Sequence, residues 1–529
     1  MKYSNKVTPI GQQVEEWQAI GLGNVSEQEI YRHFLFLGET GSGKTLSGIM
    51  PMCRLAFGQG QPRAAGLVVD PKGELGPYIE SVSGEADRDR FIRLNSDNSG
   101  PVFWYFENTP ITNLCGHSLV EEMMKFADSY TTQKAKSAER FWVDGASQLL
   151  ASLVNIDLDL YRHRNLKGTQ NIRNFWRHLY GLIDWMNELP PGKDLEEIFK
   201  RFRNREWDAE LLEEKLPGQG RRCPHSYRPN NYLHHLQGVM TASSYYASGL
   251  QISGICAVVG KGSFLPGGTA ANQFWGLFVA FLESYRLDGQ LVFDGRAGYF
   301  RQFVQMATDT YASLHAVFNS LVNELLSPEF TSRVSLNPFE RPDNLLDARQ
   351  IIEDGRVVIY EPRGTTQVAA CIGKVLKAGF FKALLQPERL NNPAVRPFFY
   401  LCDEFQRFIT HDAESGEQSF LDRCRAYRVC CALATQSLAS LEHVFADISG
   451  HHAINIILNN TGTKLFFRTT DTGTAASLCD LIPAPVYPGR PHVVRVRPPS
   501  TLQPGECYFV AVNGRVGRGQ VRLAARQEE

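Results

Sequence analysis

The sequence predicts an α/β fold with a mainly parallel sheet, interrupted by a large all-α inserted domain. Short strands that are apolar throughout occur near the start, at FLFL (34–37) and within GLVVDPKGEL (66–75), and return at RVVIYEP (356–362). Strands apolar on both faces need a covering layer on each side, as parallel strands do. The first two flank a helical run and a Gly/Pro-rich break, the beginning of a βαβ unit. Pro51 should bend or shorten that helix. From about Val120 to about Leu326 the periodicity is helical, as in ERFWVDGASQLLASLVNI, NFWRHLYGLIDWMNEL and DLEEIFKRF, with loops such as PGQGRRCPHSYRPNN between. The expected organisation is an N-terminal segment 1–30, the sheet domain's first part 31–119, a helical insertion 120–326 and the sheet domain's second part 327–529. Further strands are expected in FFYLCDEF, YRVCCALAT, TKLFFRTT and ECYFVAVN.

Composition bounds the class. The 529 residues are 43% hydrophobic and 21% charged, enough for two to four ordinary soluble domains with a large core. A formal charge of −1 excludes a uniformly basic nucleic-acid coat, while a basic patch offset by acid elsewhere stays open. The eleven cysteines contain no CxxC pair, and Cys430 and Cys431 lie in the apolar run VCCALA, so packing in a reducing cytosol is expected of them. No stretch of bilayer length is free of charged or strongly polar residues, and the first residues have no apolar signal core. The expectation is a cytoplasmic protein without a membrane span of its own.

YRHFLFLGETGSGKT (31–45) reads as strand, glycine-rich loop and helix, with the spacing G-x-x-x-x-G-K-[ST] at Gly38, Gly43, Lys44 and Thr45. The loop Gly38, Glu39, Thr40, Gly41, Ser42, Gly43, Lys44 and Thr45 is therefore the candidate cradle for ATP. The glycines let backbone N–H groups converge on phosphates, and the helix N-terminus adds a favourable dipole. Lys44 is expected to reach the β and γ phosphates and Thr45 to hold Mg²⁺. The rival reading is a plain glycine turn.

FFYLCDE (398–404) is an apolar strand ending in two carboxylates. Asp403 is expected on the hydrated Mg²⁺ and Glu404 on the attacking water, because phosphoryl transfer is catalysed mainly by positioning and charge neutralisation. The bland alternative is a strand end followed by a solvated acidic turn. The next strand ends in Thr435-Gln436-Ser437, where Gln436 either senses the γ phosphate or caps the following helix.

GETGSGKT, VVDPKGEL, RFWVDGASQLLASL, YLCDEF, RAYRVCCALATQS and NNTGTKLFFRTTDTGTAASLCDL, in that order, resemble the conjugative coupling proteins of type IV secretion, the TraG/TraD-type ATPases within the HerA/FtsK-like group. The resemblance runs over about 31–529. It implies a RecA-like P-loop ATPase domain with an all-α insertion, assembled as a homo-hexameric ring with ATP between subunits and DNA in the channel. It also implies an arginine finger at Arg425, with Arg428 and Arg423 as nearby rivals. The family usually carries transmembrane helices ahead of the first nucleotide motif, where this sequence has about thirty polar residues. Two settings follow: recruitment to the inner membrane by a secretion-channel or relaxase partner, or soluble HerA-like work with a nuclease in antiphage defence. A nucleotide-switched receptor for secretion substrates is the reading from another class.

Basic and aromatic residues interleave at 161–180 and 200–207, types that can hold phosphates and stack bases. Amphipathic helices with solvated basic faces account for them more simply. His234-His235 with Cys223 and His225, and His451-His452, lack zinc spacing. No nucleophilic triad or nuclease motif is present, so cutting would belong to a partner.

Overall fold

A computed structural model describes residues 25–95, 100–107, 109, 111–127, 140–163, 168–188, 200–201, 204, 206–215, 232–245, 270–293, 295–362, 366–410, 416–444, 450–481 and 498–520. The chain divides into two compact units, one formed by 1–103 with 346–529 and the other by 104–345.

The first unit is built on a nine-stranded sheet. Its strands are β1 (Phe34–Leu37), β2 (Ala65–Val69), β3 (Phe91–Leu94), β4 (Val357–Tyr360), β5 (Phe398–Cys402), β6 (Val429–Thr435), β7 (Thr463–Phe466), β8 (Glu506–Val510) and β9 (Val516–Gln520). They lie in the order β9-β8-β7-β1-β6-β5-β2-β4-β3. The seven from β7 to β3 pair in parallel, and β8 and β9 add antiparallel at one edge. Every residue of β1, β2, β4, β5, β6 and β7 is buried, which is why these strands read as unbroken apolar runs. Cys430 and Cys431 are packed inside β6 as the sequence suggests. None of the three strands that precede the second unit pairs with another of the three. β1 lies between β7 and β6, β2 between β5 and β4, and β3 beside β4.

The helix after β1 starts as one π turn, Thr45–Ile49, and continues as an α-helix over Met50–Phe57. Pro51 has no N–H to give to the carbonyl of Ser47, and Met50 N–H reaches back five residues to Thr45. Helix Gln367–Leu384 is capped by the Thr366 hydroxyl and buries most of its length.

The second unit is predominantly helical in its described residues, with strands of two or three residues such as Trp207–Asp208 and Tyr285–Leu287. Its long helices are Arg140–Arg162, Thr169–Glu188, Tyr232–Tyr245, Ala270–Ser284 and Thr308–Leu326. It begins at Trp104 because that residue already bonds within it: the indole N–H donates to Asn337 O (2.7 Å), and Tyr105 N–H to Ser335 O (3.2 Å). Phe175 anchors an aromatic core, with ring centroids 5.0 Å from Tyr285 and from Phe293 and 5.3 Å from Phe281. Phe175, Trp176 and Tyr180 of Thr169–Glu188 are thus buried core residues, and Arg173 pairs with Glu340 at 2.6 Å. Asp157 is buried in this core, accepting from the Trp176 indole (2.8 Å) and the Tyr232 hydroxyl (2.6 Å). Close by in sequence to Trp176, His178 is buried with its Nδ1 3.2 Å from Tyr285 Oη.

Candidate nucleotide-binding site

Parallel pairing brings the C-terminal ends of β1, β5 and β6 to one edge of the sheet, with Leu37 opposite Thr435 and Cys402 opposite Leu433. Ligand sites of open α/β sheets gather at this edge. The loop Gly38–Thr45 leaves β1 there and is pinned on both sides. Gly38 N–H donates to Thr435 O (3.3 Å), Glu39 N–H to Arg468 O (2.9 Å), and the Glu39 carboxylate accepts from Arg468 Nε (2.6 Å). Gly43 has φ +96° and sits against the turn at Gly505, whose N–H donates to Ser42 O (2.9 Å). A Cβ at Gly43 would meet the Gly505 nitrogen at 2.6 Å, so both conformation and space demand glycine. Thr40 and Gly41 form the exposed tip. Lys44 folds over its own loop, its ammonium donating to the carbonyls of Gly38 and, at 3.1 Å, Glu39. Burial depresses its pKa, against the raising pull of Glu404 and Asp403.

Thr45, the first residue of the helix, donates through Oγ1 to Asp403 Oδ2 at 3.1 Å. Asp403 is fully buried and held by its own N–H donating to Val69 O (3.1 Å). Glu404 follows at φ +51°, a left-handed conformation rare outside glycine, which turns its side chain back toward the loop's partners. Its Oε2 accepts from the amides of Gln406 (2.8 Å) and Gln436 (2.9 Å). Burial raises the Glu404 pKa, but these two amides, with Lys72 and Lys44, outweigh it and leave the carboxyl below its usual range. Gln436 therefore reaches the site; the helix after it is capped by Ser437, whose Oγ accepts from Ser440 N–H (3.0 Å). A hydroxyl and a buried carboxylate meeting from separate elements are the hard oxygen donors that a hydrated Mg²⁺ takes, beside a loop whose backbone and lysine suit phosphates.

Lys44, Thr45, Asp403, Glu404 and Gln436 are thus brought together. Arg425 is not. It is exposed in the turn Cys424–Tyr427, before the start of β6, while Gln436 follows its end. Seven strand residues at ~3.3 Å each separate the two edges by roughly 23 Å, so Arg425 cannot reach its own chain's loop. At that far edge a cleft of about 700 Å³ opens, lined by residues including Arg32, Asp422, Arg425, Asn460, Lys464 and Asp480. Arg428 is buried at φ +58°, its guanidinium donating to the carbonyls of Pro393 and, at 3.1 Å, Val395 and pairing with Glu27. Those bonds engage its guanidinium within its own chain and weigh against it as the finger. Arg423 Nε donates to Ser419 O one turn back (3.0 Å).

Lys72 also belongs to this cluster, in contact with Asp403, Thr45 and Glu404. Burial would lower its pKa, but Asp403 and then Glu404 raise it, so it is held as an ammonium. Sequence reasoning passed over it, although the signal was there: DPKG is a turn that fixes the backbone under its lysine at the end of β2. Of the histidines, His234 donates to Leu326 O (2.9 Å) and His235 packs on Trp176, while Cys223 and His225 lie outside the described residues. Among the described residues, potential soft ligands gather at His33, Cys424 and Cys431. There His33 Nδ1 accepts from Cys431 N–H (3.1 Å) and its Nε2 lies 3.4 Å from Cys424 Sγ, a hydrogen-bonded set within the core. No helix among the described residues is long and apolar enough to cross a membrane.

Residues 397–483 match the family model described as the TraM recognition site of TraD and TraG, which bears out the sequence resemblance to TraG/TraD-type coupling proteins. That segment contains Asp403, Glu404, Arg425 and Gln436. No curated protein matches the chain in sequence. Among solved structures, the chain is similar to the plasmid coupling protein TrwB in complex with the non-hydrolysable GTP analogue GDPNP, at 14% identity and TM-score 0.47 over 95% of this chain and 89% of that one. The TrwB complex with ADP and Mg²⁺ matches at 13% identity and TM-score 0.47, over 95% and 88%. VirB4 of Thermoanaerobacter pseudethanolicus matches at 11% identity and TM-score 0.38, over 93% and 90%.

Proposed function

We propose that this chain is a nucleotide-hydrolysing motor of the conjugative coupling type, which moves DNA as an assembled homo-hexamer. The observation that carries the reading is the meeting of Lys44, Thr45, Asp403, Glu404 and Gln436 at one sheet edge, from segments as far apart as 45 and 403, with Thr45 and Asp403 in direct contact at 3.1 Å. The loop amides and Lys44 would hold the ATP phosphates, and Thr45 and Asp403 would hold Mg²⁺. When bound, the metal supplies charge neutralisation at the phosphates. Glu404, kept ionised by the Gln406 and Gln436 amides, accepts the proton of an attacking water. Gln436 ties that carboxylate to the end of β6 and so to the strand that begins beside Arg425.

Because Arg425 lies at the other edge, it acts on a neighbour's nucleotide. A surface with the loop at one side and the finger at the other makes a head-to-tail contact that closes into a ring. The match of 397–483 to the TraM recognition site supports a place in a conjugation or secretion apparatus, with an accessory protein of the TraM kind, a relaxase or a channel component as partner. Such a partner would bring the motor to the inner membrane.

The test is ATP hydrolysis by size-resolved oligomers with and without single- and double-stranded DNA. Turnover should rise with DNA, and DNA binding should be sequence-independent and fall steeply with salt, since phosphate contacts dominate. Nucleotide binding without DNA-stimulated turnover would replace the motor with a nucleotide-switched receptor for secretion substrates.

A further inference from the structure

The turn after β2 carries a cation that the proposed hydrolysis does not use. Asp70 follows the strand, fully buried, its Oδ2 accepting from the N–H groups of Leu75 (2.7 Å) and Gly76 (3.2 Å). Its carbonyl accepts from Gly73 N–H (3.2 Å), closing a four-residue turn. Pro71 restricts the second position of that turn and Gly73 supplies φ +69° at its end, so the backbone under Lys72 is fixed. From it the Lys72 ammonium extends to three oxygens: Asp403 Oδ2 at 3.0 Å, Thr45 Oγ1 at 3.4 Å and Glu404 Oε1 at 3.5 Å. These oxygens belong to the residues assigned above to Mg²⁺ and to the attacking water.

The two partners differ in freedom. The Asp403 side chain is 0% exposed and that of Lys72 is 34% exposed, so the carboxylate is fixed and the lysine can swing out toward solvent. A buried carboxylate without a cation beside it is costly, and the Lys72 ammonium at 3.0 Å from Asp403 removes that cost.

Resting on the nucleotide reading above, we propose that Lys72 is a tethered counter-cation, which holds the Thr45, Asp403 and Glu404 oxygens together before nucleotide arrives and is displaced from them when the magnesium nucleotide binds. Lys72 is a positioning residue in this scheme. It competes with a divalent cation for the same oxygens, so the metal alone binds poorly. The metal that enters with nucleotide also brings phosphates, which offer the released ammonium a new anionic partner. Lys72 thereby makes metal entry depend on nucleotide entry.

The experiment uses the full chain, a fluorescent ADP analogue and a Mg²⁺ titration, with wild type, Lys72→Met, Lys72→Arg and Lys44→Ala. Lys72→Met should need roughly three- to tenfold less Mg²⁺ for half-maximal nucleotide binding, the scale of losing one half-exposed ion pair to a buried carboxylate. Mg²⁺ without nucleotide should raise the melting temperature of Lys72→Met and leave that of wild type unmoved, with Lys72→Arg behaving as wild type. An unchanged Mg²⁺ requirement in Lys72→Met overturns the proposal. So does a loss of nucleotide affinity at saturating Mg²⁺ equal to that of Lys44→Ala, which would make Lys72 a phosphate ligand. Wild type that binds no nucleotide at any Mg²⁺ concentration overturns the nucleotide site itself as well.

Discussion

Between pH 4 and 6.5, two buried groups of the helical unit should tilt its stability in opposite directions and nearly cancel. Burial pushes the Asp157 carboxyl up to about 7, with the Tyr232 and Trp176 donors pulling the other way. In the unfolded chain it titrates near ~4. Its folded pKa being the higher, its contribution is complete below about pH 4 and is lost as pH rises toward 7, at ~1.4 kcal/mol per pH unit. Burial, helped by the charge of Arg177, takes His178 down to about 3. Its unfolded value is near ~6.5, so its contribution is complete above that pH and is lost on acidification at the same rate. Where both intervals overlap, the folded state holds one extra proton on Asp157 and one fewer on His178, and the slopes offset. Asp157→Asn should remove the first, so that the variant loses ~1.4 kcal/mol per unit relative to wild type as pH falls from 6.5 to 4. His178→Gln should do the reverse, losing stability relative to wild type as pH rises over the same range. Urea unfolding followed by tryptophan fluorescence at pH 4, 5 and 6 measures both. If either variant's stability runs parallel to wild type across that range, the group is not titrating as its surroundings require and the reasoning fails for it.

Lys44→Ala should weaken nucleotide binding at least tenfold, while Glu404→Gln keeps binding and loses hydrolysis, since one removes phosphate affinity and the other the acceptor for water's proton. Nucleotide binding and phosphate release, measured on the same samples, separate the two; wild-type turnover in Glu404→Gln would cancel the role given to it. Arg425→Ala should bind ATP and hydrolyse it poorly, and mixing it with Lys44→Ala subunits should restore some turnover, because some neighbours then join an intact loop to an intact arginine. Equal rates per subunit in monomers and in rings would rule this out. Arg428→Ala should instead lower stability by roughly 2–3 kcal/mol, the cost of charged hydrogen bonds lost inside the fold. Thermal melting tests it, and an unaltered melting temperature would return Arg428 to the finger candidates.

The loop at Gly38–Thr45 and the acids at Asp403 and Glu404 were legible because each is a local pattern: an apolar strand followed at once by the polar residues that meet at the sheet edge. β3 and β9 were not. FIRL carries an arginine and is half-exposed at the sheet's edge, and VGRGQ has almost no apolar residue, so neither has a periodicity to read. Three arginines between 423 and 428 look alike in sequence. What separates Arg428 is Glu27, 401 positions away, and what brings Lys72 into the site is Asp403, 331 positions away. Such pairings are products of the sheet order, and the sequence between them holds no trace of it. The start of the second unit at Trp104 is hidden for a related reason: Trp104 and Tyr105 join it through hydrogen bonds to Asn337 and Ser335, with no helical pattern of their own.

The pairing order of the sheet bears on how the chain is made. β1, β2 and β3 leave the ribosome before any strand they will pair with, because their partners begin at Val357, Phe398, Val429 and Thr463. At ~5–20 residues per second, the interval from Val69 to the completion of β6 at Thr435 is about 20 to 70 s. Throughout it FLFL, and AGLVV until β4 is complete at Tyr360, are emerged apolar strand segments with unpaired backbone, the kind that associates with other chains or with a chaperone. The 104–345 unit has its aromatic core complete before that wait ends, so synthesis builds the inserted unit first and the sheet domain that encloses it in sequence last. A chain that stops between Leu345 and Val429 therefore contains the whole 104–345 unit and leaves β1 without either of its partners.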